Sequence, residues 1–504
     1  MTTNPKFYLT TAIDYANGEP HLGHAFEKIG ADCVARYHRL RGEQVHFVIG
    51  MDEHGQKVAQ AAEEAGVSPQ AWVDGIAQRF REAWRELTIS HDDFIRTTEP
   101  RHARAVQELF RRIRDRGHVY QGVYRGYYCV GCEAFKLEKD LDEAGRCPIH
   151  PTLEIKWVEE PNFFFRLSSF GPWLLERYAK NPEFVRPRAK LNEIRNVVEE
   201  GLQDISVSRA RVPWGIPWPD DPDHTVYVWF EALINYLSAT GFPEEGYERL
   251  WPADVHIIGP DIVRFHAALW PAMLHAAGLE PPRGVWCHGW VNTQGARFSK
   301  SAGVRLTLRE AIDRHGPDAL RYFLLAEVPW DGDGNFTWER FDARYTAELA
   351  DGYGNLVSRV LAMIARYREG VVPQGGATDL DAVARDAWTR YVTAMDQQLL
   401  HEGAAAAIRL VSEANGFIER TAPWALAKAG DTAKLDHTLA ALANCVARVT
   451  LMLAPFLPGK SADVWTALGN GTTLVTMVTG EMRGMSGNRV VPLPPLFPKP
   501  RVAA

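Results

Sequence analysis

The 504-residue sequence predicts an α/β protein with a parallel sheet, a metal-knuckle segment and, after them, an all-α helical bundle. Three observations carry that prediction. Phe7 to Ala12 is a short, β-branched apolar run of the kind that forms a buried parallel strand, and it leads through a tight turn into a helix. Cys129-x-x-Cys132 is separated by fourteen residues from Cys147-x-x-His150. From about Phe341 to Leu457 the chain is Ala-rich and amphipathic with few strand formers, which suits a bundle.

Composition bounds the answer. A chain of 504 residues exceeds one core and suggests about three domains. Hydrophobic content of 46% and charged content of 24% are those of a soluble globular protein. No apolar run approaches the length of a membrane span, and Met1 to Lys6 is read as lacking a signal-peptide core, so no membrane association is expected. Six cysteines, three of them clustered, point to a metal site in a reducing, cytoplasmic compartment rather than a disulfide framework. A net charge of −7 argues against indiscriminate nucleic-acid binding but allows a local basic face for one particular RNA.

The elements follow in order. Asn17, Gly18 and Pro20 break the first strand, and His21-Leu22-Gly23-His24 opens a helix over Ala25 to Arg41. Strand, turn and helix N-terminus make a phosphate-binding corner, because backbone N–H groups there lack intrahelical partners. His21 and His24 add side-chain donors, and Gly23 leaves room for a flat base. Val45 to Gly50 is a second strand, and Asp52 follows at its carboxyl end, where ligands sit in open parallel sheets. Asp52 can hold a substrate ammonium group there, or cap the next helix. Gln56 to Leu87 and Pro100 to Gly117 read as helical, with the Arg-rich run Arg111 to Arg116 a solvated face. The two knuckles supply a tetrahedral zinc set of Cys129, Cys132, Cys147 and His150; with four protein ligands the metal is structural.

Val226 to Trp229 is read as the return of the sheet. Beyond it Trp229, Ala232, Leu233 and Tyr236 are spaced to share one helix face, a pattern that suits core as well as a pocket. His256 to Gly259 is the next strand, with Asp261 at its carboxyl end and His266 and Trp270 one turn apart beyond. Gly295 to Gly303 brackets the short basic loop Arg297-Phe298-Ser299-Lys300-Ser301, suited to closing over a ligand. In the helical region Asn355 and Arg359 lie one turn apart, and Ala422-Pro423-Trp424 starts another helix.

His21-Leu22-Gly23-His24 resembles the HIGH signature of class I aminoacyl-tRNA synthetases, and Ala12-x-x-Tyr15-x-Asn17-Gly18-x-x-His21-Leu22-Gly23-His24 looks like the methionyl-tRNA synthetase family. The loop at Arg297 resembles the KMSKS motif, with Arg297 for its first lysine and Phe298 for methionine. The resemblance covers essentially the whole chain. It implies a Rossmann-like catalytic domain in two halves (1–118 and 224–296), a single-zinc connective insertion (119–223), a KMSKS-like loop and stem-contact region (297–340), and a helical anticodon-binding domain with a returning tail (341–504). No C-terminal tRNA-binding extension and no editing domain are expected.

The activity implied is that of a methionine–tRNA ligase: L-methionine and ATP, with Mg²⁺, give methionyl-adenylate and pyrophosphate, and methionine is then transferred to the 3′ end of initiator and elongator tRNA(Met). On this resemblance His21, His24 and Lys300 are catalytic, and ATP is held by His21, Gly23, His24, Gly259, Asp261, Arg297, Ser299 and Lys300. Methionine is held by Ala12, Ile13, Tyr15, Asp52, Trp229, Ala232, Leu233, Tyr236, Asp261, His266 and Trp270, and the anticodon by Asn355, Arg359 and Trp424. Besides Arg297 and Phe298, two further positions depart from the family pattern, Glu231 replacing its usual Asp and Pro260 its common Lys. A monomer is expected. The rival readings are another class I synthetase, such as the cysteine enzyme, and a non-catalytic synthetase-like tRNA-binding protein.

Overall fold

A computed structural model describes residues 5–129, 131, 134–136, 138–148, 151–210, 212, 214–219, 221–293, 296–297, 307–471 and 484–499. Its centre is a seven-stranded sheet made of β1 (Lys6–Thr11), β2 (Asp14–Tyr15), β3 (Gln44–Asp52), β4 (Asp93–Arg96), β5 (Val185–Arg186), β6 (Val255–Ile258) and β7 (Val285–Cys287). All pairings are parallel; β3 pairs with β1, β2 and β4, and beyond β1 the order runs β6, β7, β5. Parallel strands covered on both faces must be apolar throughout, and Leu9, Phe47, Ile49, Ile257 and Ile258 are all fully buried.

The chain leaves β1 through helix α1 (Leu22–Leu40) to reach β3 on one side, while β6 pairs with β1 on the other, Leu9 to Thr11 facing Val255 to Ile257. The strand order therefore reverses at β1, and the crevice outside the carboxyl ends of β1 and β6 is where such a sheet binds ligands.

Two stretches differ from the sequence reading. Val185–Arg186 lies within the stretch 119–223 read as an insertion, yet it forms the outer strand of the parallel sheet beside Val285 and Trp286. A two-residue strand carries too little periodicity to be seen. The strand Asp221–Val226 joins Ser208–Arg209 and Pro217–Trp218 in a small antiparallel sheet, so after β5 the next strand of the parallel sheet is β6, not Val226–Trp229. The insertion itself is built on the antiparallel ribbon of Val119–Cys129 with Lys156–Phe165.

Helix α2 (Pro100–Asp115) packs behind the sheet, and its arginine run pairs with Glu108 and Asp115 on the solvent side. Helix α3 (Pro317–Glu327) leads into a bundle of α4 (Asn355–Arg368), α5 (Asp379–Asp396), α6 (Leu400–Thr421), α7 (Thr432–Leu453) and α8 (Pro458–Ala467). Arg321 of α3 is wholly buried and joins the two halves. It pairs with Asp32 of α1 at 2.7 Å and donates to the carbonyls of Leu87, Pro455 and Phe456. The tail returns to the bundle, where Leu496 and Phe497 are buried and the Tyr345 hydroxyl donates to the Pro498 carbonyl at 2.7 Å.

Candidate active site

The corner after β1 is organised by its histidines. His21 occupies the N-cap of α1 in extended conformation, and its Nδ1 accepts from the backbone N–H of Gly23 at 3.1 Å and of His24 at 3.4 Å. The His21 N–H donates in turn to His24 Nδ1 at 3.4 Å, and the two rings stack with centroids 3.6 Å apart. Two of the helix's N-terminal N–H groups are thus capped by a ring instead of being left for ligand, as the sequence had suggested. The cap has a chemical consequence. A neutral imidazole accepting on Nδ1 carries its proton on Nε2, so the cap fixes the tautomer of both rings. Burial and the neighbouring His21 hold His24 well below the ordinary histidine range, which keeps it neutral. The space beside Gly23 is also taken: a Cβ there would meet His21 Cε1 at 3.0 Å and Nδ1 at 3.1 Å. The glycine makes room for the histidine ring.

Beneath this corner lies a charge cluster that sequence reasoning missed. Lys28 of α1 is fully buried and donates to Asp14 Oδ1 at 2.9 Å, Glu27 Oε1 at 2.7 Å and the Ala12 carbonyl at 2.9 Å. His288, after β7, faces the other Glu27 oxygen at 3.2 Å. Burial pushes the Asp14 carboxyl up to about 7 in spite of Lys28. Burial pushes Glu27 the same way, but Lys28 and His288 outweigh it and hold it below the usual glutamate range. A Glu-Lys pair on a helix reads as surface charge; here both sit on the face turned to the sheet.

The predicted amino-acid pocket lies beside it. Asp52 ends β3 and is 5% exposed, and the next helix begins at Gln56 behind Gly55, so the helix-capping reading of Asp52 falls. Trp229 and Ala232 lie on the helix Val228–Ala232 and Tyr236 on Asn235–Ser238; the break at Leu233 and Ile234 replaces the continuous helix that the spacing suggested. Phe265 to Leu269 forms a π-helical turn leading into Trp270–Ala276, which places His266 against Tyr236.

The floor of this pocket is a hydrogen-bonded aromatic stack. The Tyr236 hydroxyl donates to His266 Nε2 at 2.6 Å, and His266 Nδ1 donates to the Ile262 carbonyl at 3.0 Å, so the ring is neutral. Burial takes His266 down to about 4. Trp270 Nε1 donates to His256 Nε2 at 3.2 Å, and the His256 ring stacks on Tyr236 with centroids 4.3 Å apart. Of the predicted pocket residues Ala12, Ile13, Tyr15 and Trp229 are half-buried, and Ala232, Leu233, Tyr236, His266 and Trp270 are buried. An uncharged, aromatic surface of this kind suits a polarizable apolar side chain.

Across the crevice Gly259 and Asp261 follow β6. Pro260 is the first residue of a single 3₁₀ turn, Pro260–Ile262, where a missing N–H costs nothing. Asp261 is exposed and folds back on Gly259, whose Cβ would sit 3.1 Å from Asp261 Oδ1. Arg297 lies in the short strand Ala296–Arg297, opposite Asn292. Phe298, Ser299 and Lys300 lie outside the described residues, as do Cys132 and His150 of the knuckles. Cys129 and Cys147 are both fully buried, and among the described residues no group of three or more metal ligands occurs. At the far end of the bundle Asn355 is exposed at the start of α4. Arg359 pairs with Glu419 of α6 at 2.6 Å, and Trp424, five residues on, is 46% exposed.

A parallel sheet that reverses at its first strand, a histidine-capped helix there and a helical bundle behind together define a class I aminoacyl-tRNA synthetase. The family model for class I tRNA synthetases (M) matches residues 7–154 and 152–361. The methionine–tRNA ligase of Thermotoga maritima is 41% identical over 473 residues, covering 91% of this chain and 75% of that one. The Streptomyces coelicolor methionine–tRNA ligase is 42% identical over 482 residues, 92% of this chain and 89% of that one. A crystal structure of Mycobacterium tuberculosis methionyl-tRNA synthetase in complex with methionyl-adenylate superposes with a TM-score of 0.94 at 38% identity, covering 98% of this chain and all of that one. The free-state form of that enzyme gives a TM-score of 0.88 at 35% identity, covering 99% of each chain. The chain belongs to the methionine–tRNA ligase family.

Proposed function

We propose that this protein activates L-methionine with ATP and charges tRNA(Met), initiator and elongator. What supports this reading is that the His21–His24 corner follows β1, Asp52 ends the neighbouring β3 and His266 follows the neighbouring β6, all at the carboxyl side of the parallel sheet where such folds bind ligands. In the first step a methionine carboxylate oxygen attacks the α-phosphorus of ATP. The new O–P bond forms as the bond to the bridging oxygen breaks, and pyrophosphate leaves with the Mg²⁺ that accompanies ATP. No side chain acts as nucleophile; catalysis is orientation and charge stabilisation. The Nε2–H groups of His21 and His24 serve the developing charge on the phosphates, and Lys300, with Arg297 and Ser299, serves the leaving group. Gly23, Gly259 and Asp261 flank the nucleotide. Asp52 holds the methionine ammonium, and Ala12, Ile13, Tyr15, Trp229, Ala232, Leu233, Tyr236, His266 and Trp270 enclose the thioether, with Asp261 at the rim. In the second step a ribose hydroxyl of the terminal adenosine attacks the acyl carbon and AMP leaves.

Cys129, Cys132, Cys147 and His150 would hold one zinc, whose contribution is to cross-link the insertion. The fit rests on the donor chemistry, two knuckles of soft ligands with Cys129 and Cys147 both buried. Asn355, Arg359 and Trp424 would read anticodon bases by hydrogen bonding and stacking. The chain would act as a cytoplasmic monomer, with the insertion confined to parts of 119–223 outside the sheet strand Val185–Arg186 and further divisions at residues 296 and 340; among the described residues no helix is long and apolar enough to cross a membrane.

The test is ATP–pyrophosphate exchange with a panel of amino acids. Exchange driven by methionine, with Asp52→Asn raising its KM at least tenfold, is the expected outcome. Exchange driven by cysteine, or none with any amino acid, would overturn the reading in favour of another class I enzyme or of a tRNA-binding protein.

A further inference from the structure

Behind the predicted amino-acid pocket lies a second buried acid that no step above uses. Glu231 is fully buried, yet its carboxylate is gripped from both ends. Oε1 faces His54 Nδ1 at 2.7 Å and Oε2 faces His102 Nε2 at 2.7 Å, while His102 Nδ1 faces the Ser238 hydroxyl at 2.9 Å. Burial pushes the acid up, but the two facing imidazoles outweigh burial and keep it below the ordinary glutamate range, so it is an anion that they clasp.

What this clasp joins is specific. His54 is two residues beyond Asp52, and its carbonyl accepts from the Tyr15 hydroxyl at 3.1 Å. Glu231 sits between Trp229 and Ala232 on one short helix. The turn is held from its other side as well, since Arg96 pairs with Glu53 at 2.6 Å and Trp214 Nε1 donates to the Glu53 carbonyl at 2.6 Å. The Glu231–His54 bond is thus a direct tie between the turn carrying Asp52 and the helix carrying the pocket wall.

We propose that Glu231 is a positioning residue for methionine: acting through His54, it sets the distance between the group that holds the substrate's ammonium and the wall that receives its side chain. Both ends of one small substrate must be met at once, so loosening this tie weakens methionine binding without touching ATP. The inference rests on the reading of Asp52 given above.

The experiment is ATP–pyrophosphate exchange on the full-length protein, with KM measured separately for methionine and ATP. Glu231→Gln is expected to raise KM for methionine about tenfold, with kcat and KM for ATP within twofold of wild type. Glu231→Asp, which keeps the anion, is expected to raise KM for methionine by no more than about threefold. His54→Gln gives a rise of similar size, and the double variant is no worse than either single one, because both cut the same tie. A folded Glu231→Gln protein with unchanged KM for methionine, or one in which both KM values rise together, overturns the proposal. Should Glu231→Gln fail to fold, His54→Gln decides by the same two criteria. Asp52→Asn separates the two readings. If it raises KM for methionine while the Glu231 and His54 variants do not, only the positioning role fails; if it leaves KM unchanged, the ammonium assignment itself fails.

Discussion

Lys28→Met removes a buried cation while nearly conserving side-chain volume, and the structure sets the size of the loss. The Lys28 ammonium is wholly buried and makes contacts of 2.7 and 2.9 Å to Glu27 and Asp14, plus 2.9 Å to the Ala12 carbonyl. Without it two carboxylates remain buried a few ångströms apart, and breaking a buried pair by removing one partner costs about 3–5 kcal/mol. The loss depends on pH in a definite direction. Asp14 already stands at about 7 with the cation present, far above the usual aspartate value. Removing Lys28 raises Asp14 further and lifts Glu27, which Lys28 now helps to hold down. A carboxyl whose folded pKa exceeds its unfolded one binds its proton more tightly when folded, so its contribution weakens as pH rises from the unfolded pKa through the folded one. The deficit of Lys28→Met is therefore smallest near pH 5 and grows through pH 7 and beyond. Urea denaturation followed by tryptophan fluorescence at pH 5 and pH 8 measures it. A deficit under about 1 kcal/mol at pH 8, or one equal at both pH values, refutes the argument.

Other substitutions separate binding, chemistry and folding. Gly23→Ala adds a methyl 3.0 Å from the His21 ring; the helix gains up to about 1 kcal/mol in propensity and loses about as much in capping. Stability should stay level while exchange slows tenfold or more, and unchanged exchange would show that the ring's placement is immaterial. Trp424→Ala removes a half-exposed indole. Base stacking of about 1–3 kcal/mol predicts a tenfold or greater loss in tRNA charging with exchange unaltered, and equal losses in both assays would make Trp424 structural. Elemental analysis of the purified protein should find one zinc per chain, lost with Cys147→Ser together with thermal stability; a full zinc content in that variant would refute the ligand set.

Local patterns were legible from the start. The run from Phe7 is a strand because aromatic, aliphatic and β-branched residues (Phe7, Tyr8, Leu9, Thr10, Thr11) fit a buried pleated surface, and β1 covers Lys6–Thr11. The tail returns to the bundle, as the resemblance implied, because Leu496 and Phe497 have a core to enter. Tyr236, His266 and Trp270, spaced along two separate stretches of sequence, come together with His256 in one hydrogen-bonded aromatic group. Spacing misled where it was short or mixed: Val185–Arg186 was hidden among helices, and the helix from Trp229 to Tyr236 breaks in the middle.

By itself the sequence determined the periodic elements, the His21 corner, the aromatic composition of the pocket and the family, because each of these is written within a few turns of chain. Only the tertiary structure decided which charges are buried together. Glu27 meets His288 across 261 residues and Glu231 meets His102 across 129. Nothing local distinguishes such a glutamate from one in water; what separates them is desolvation, which exists only once distant segments have closed around the group.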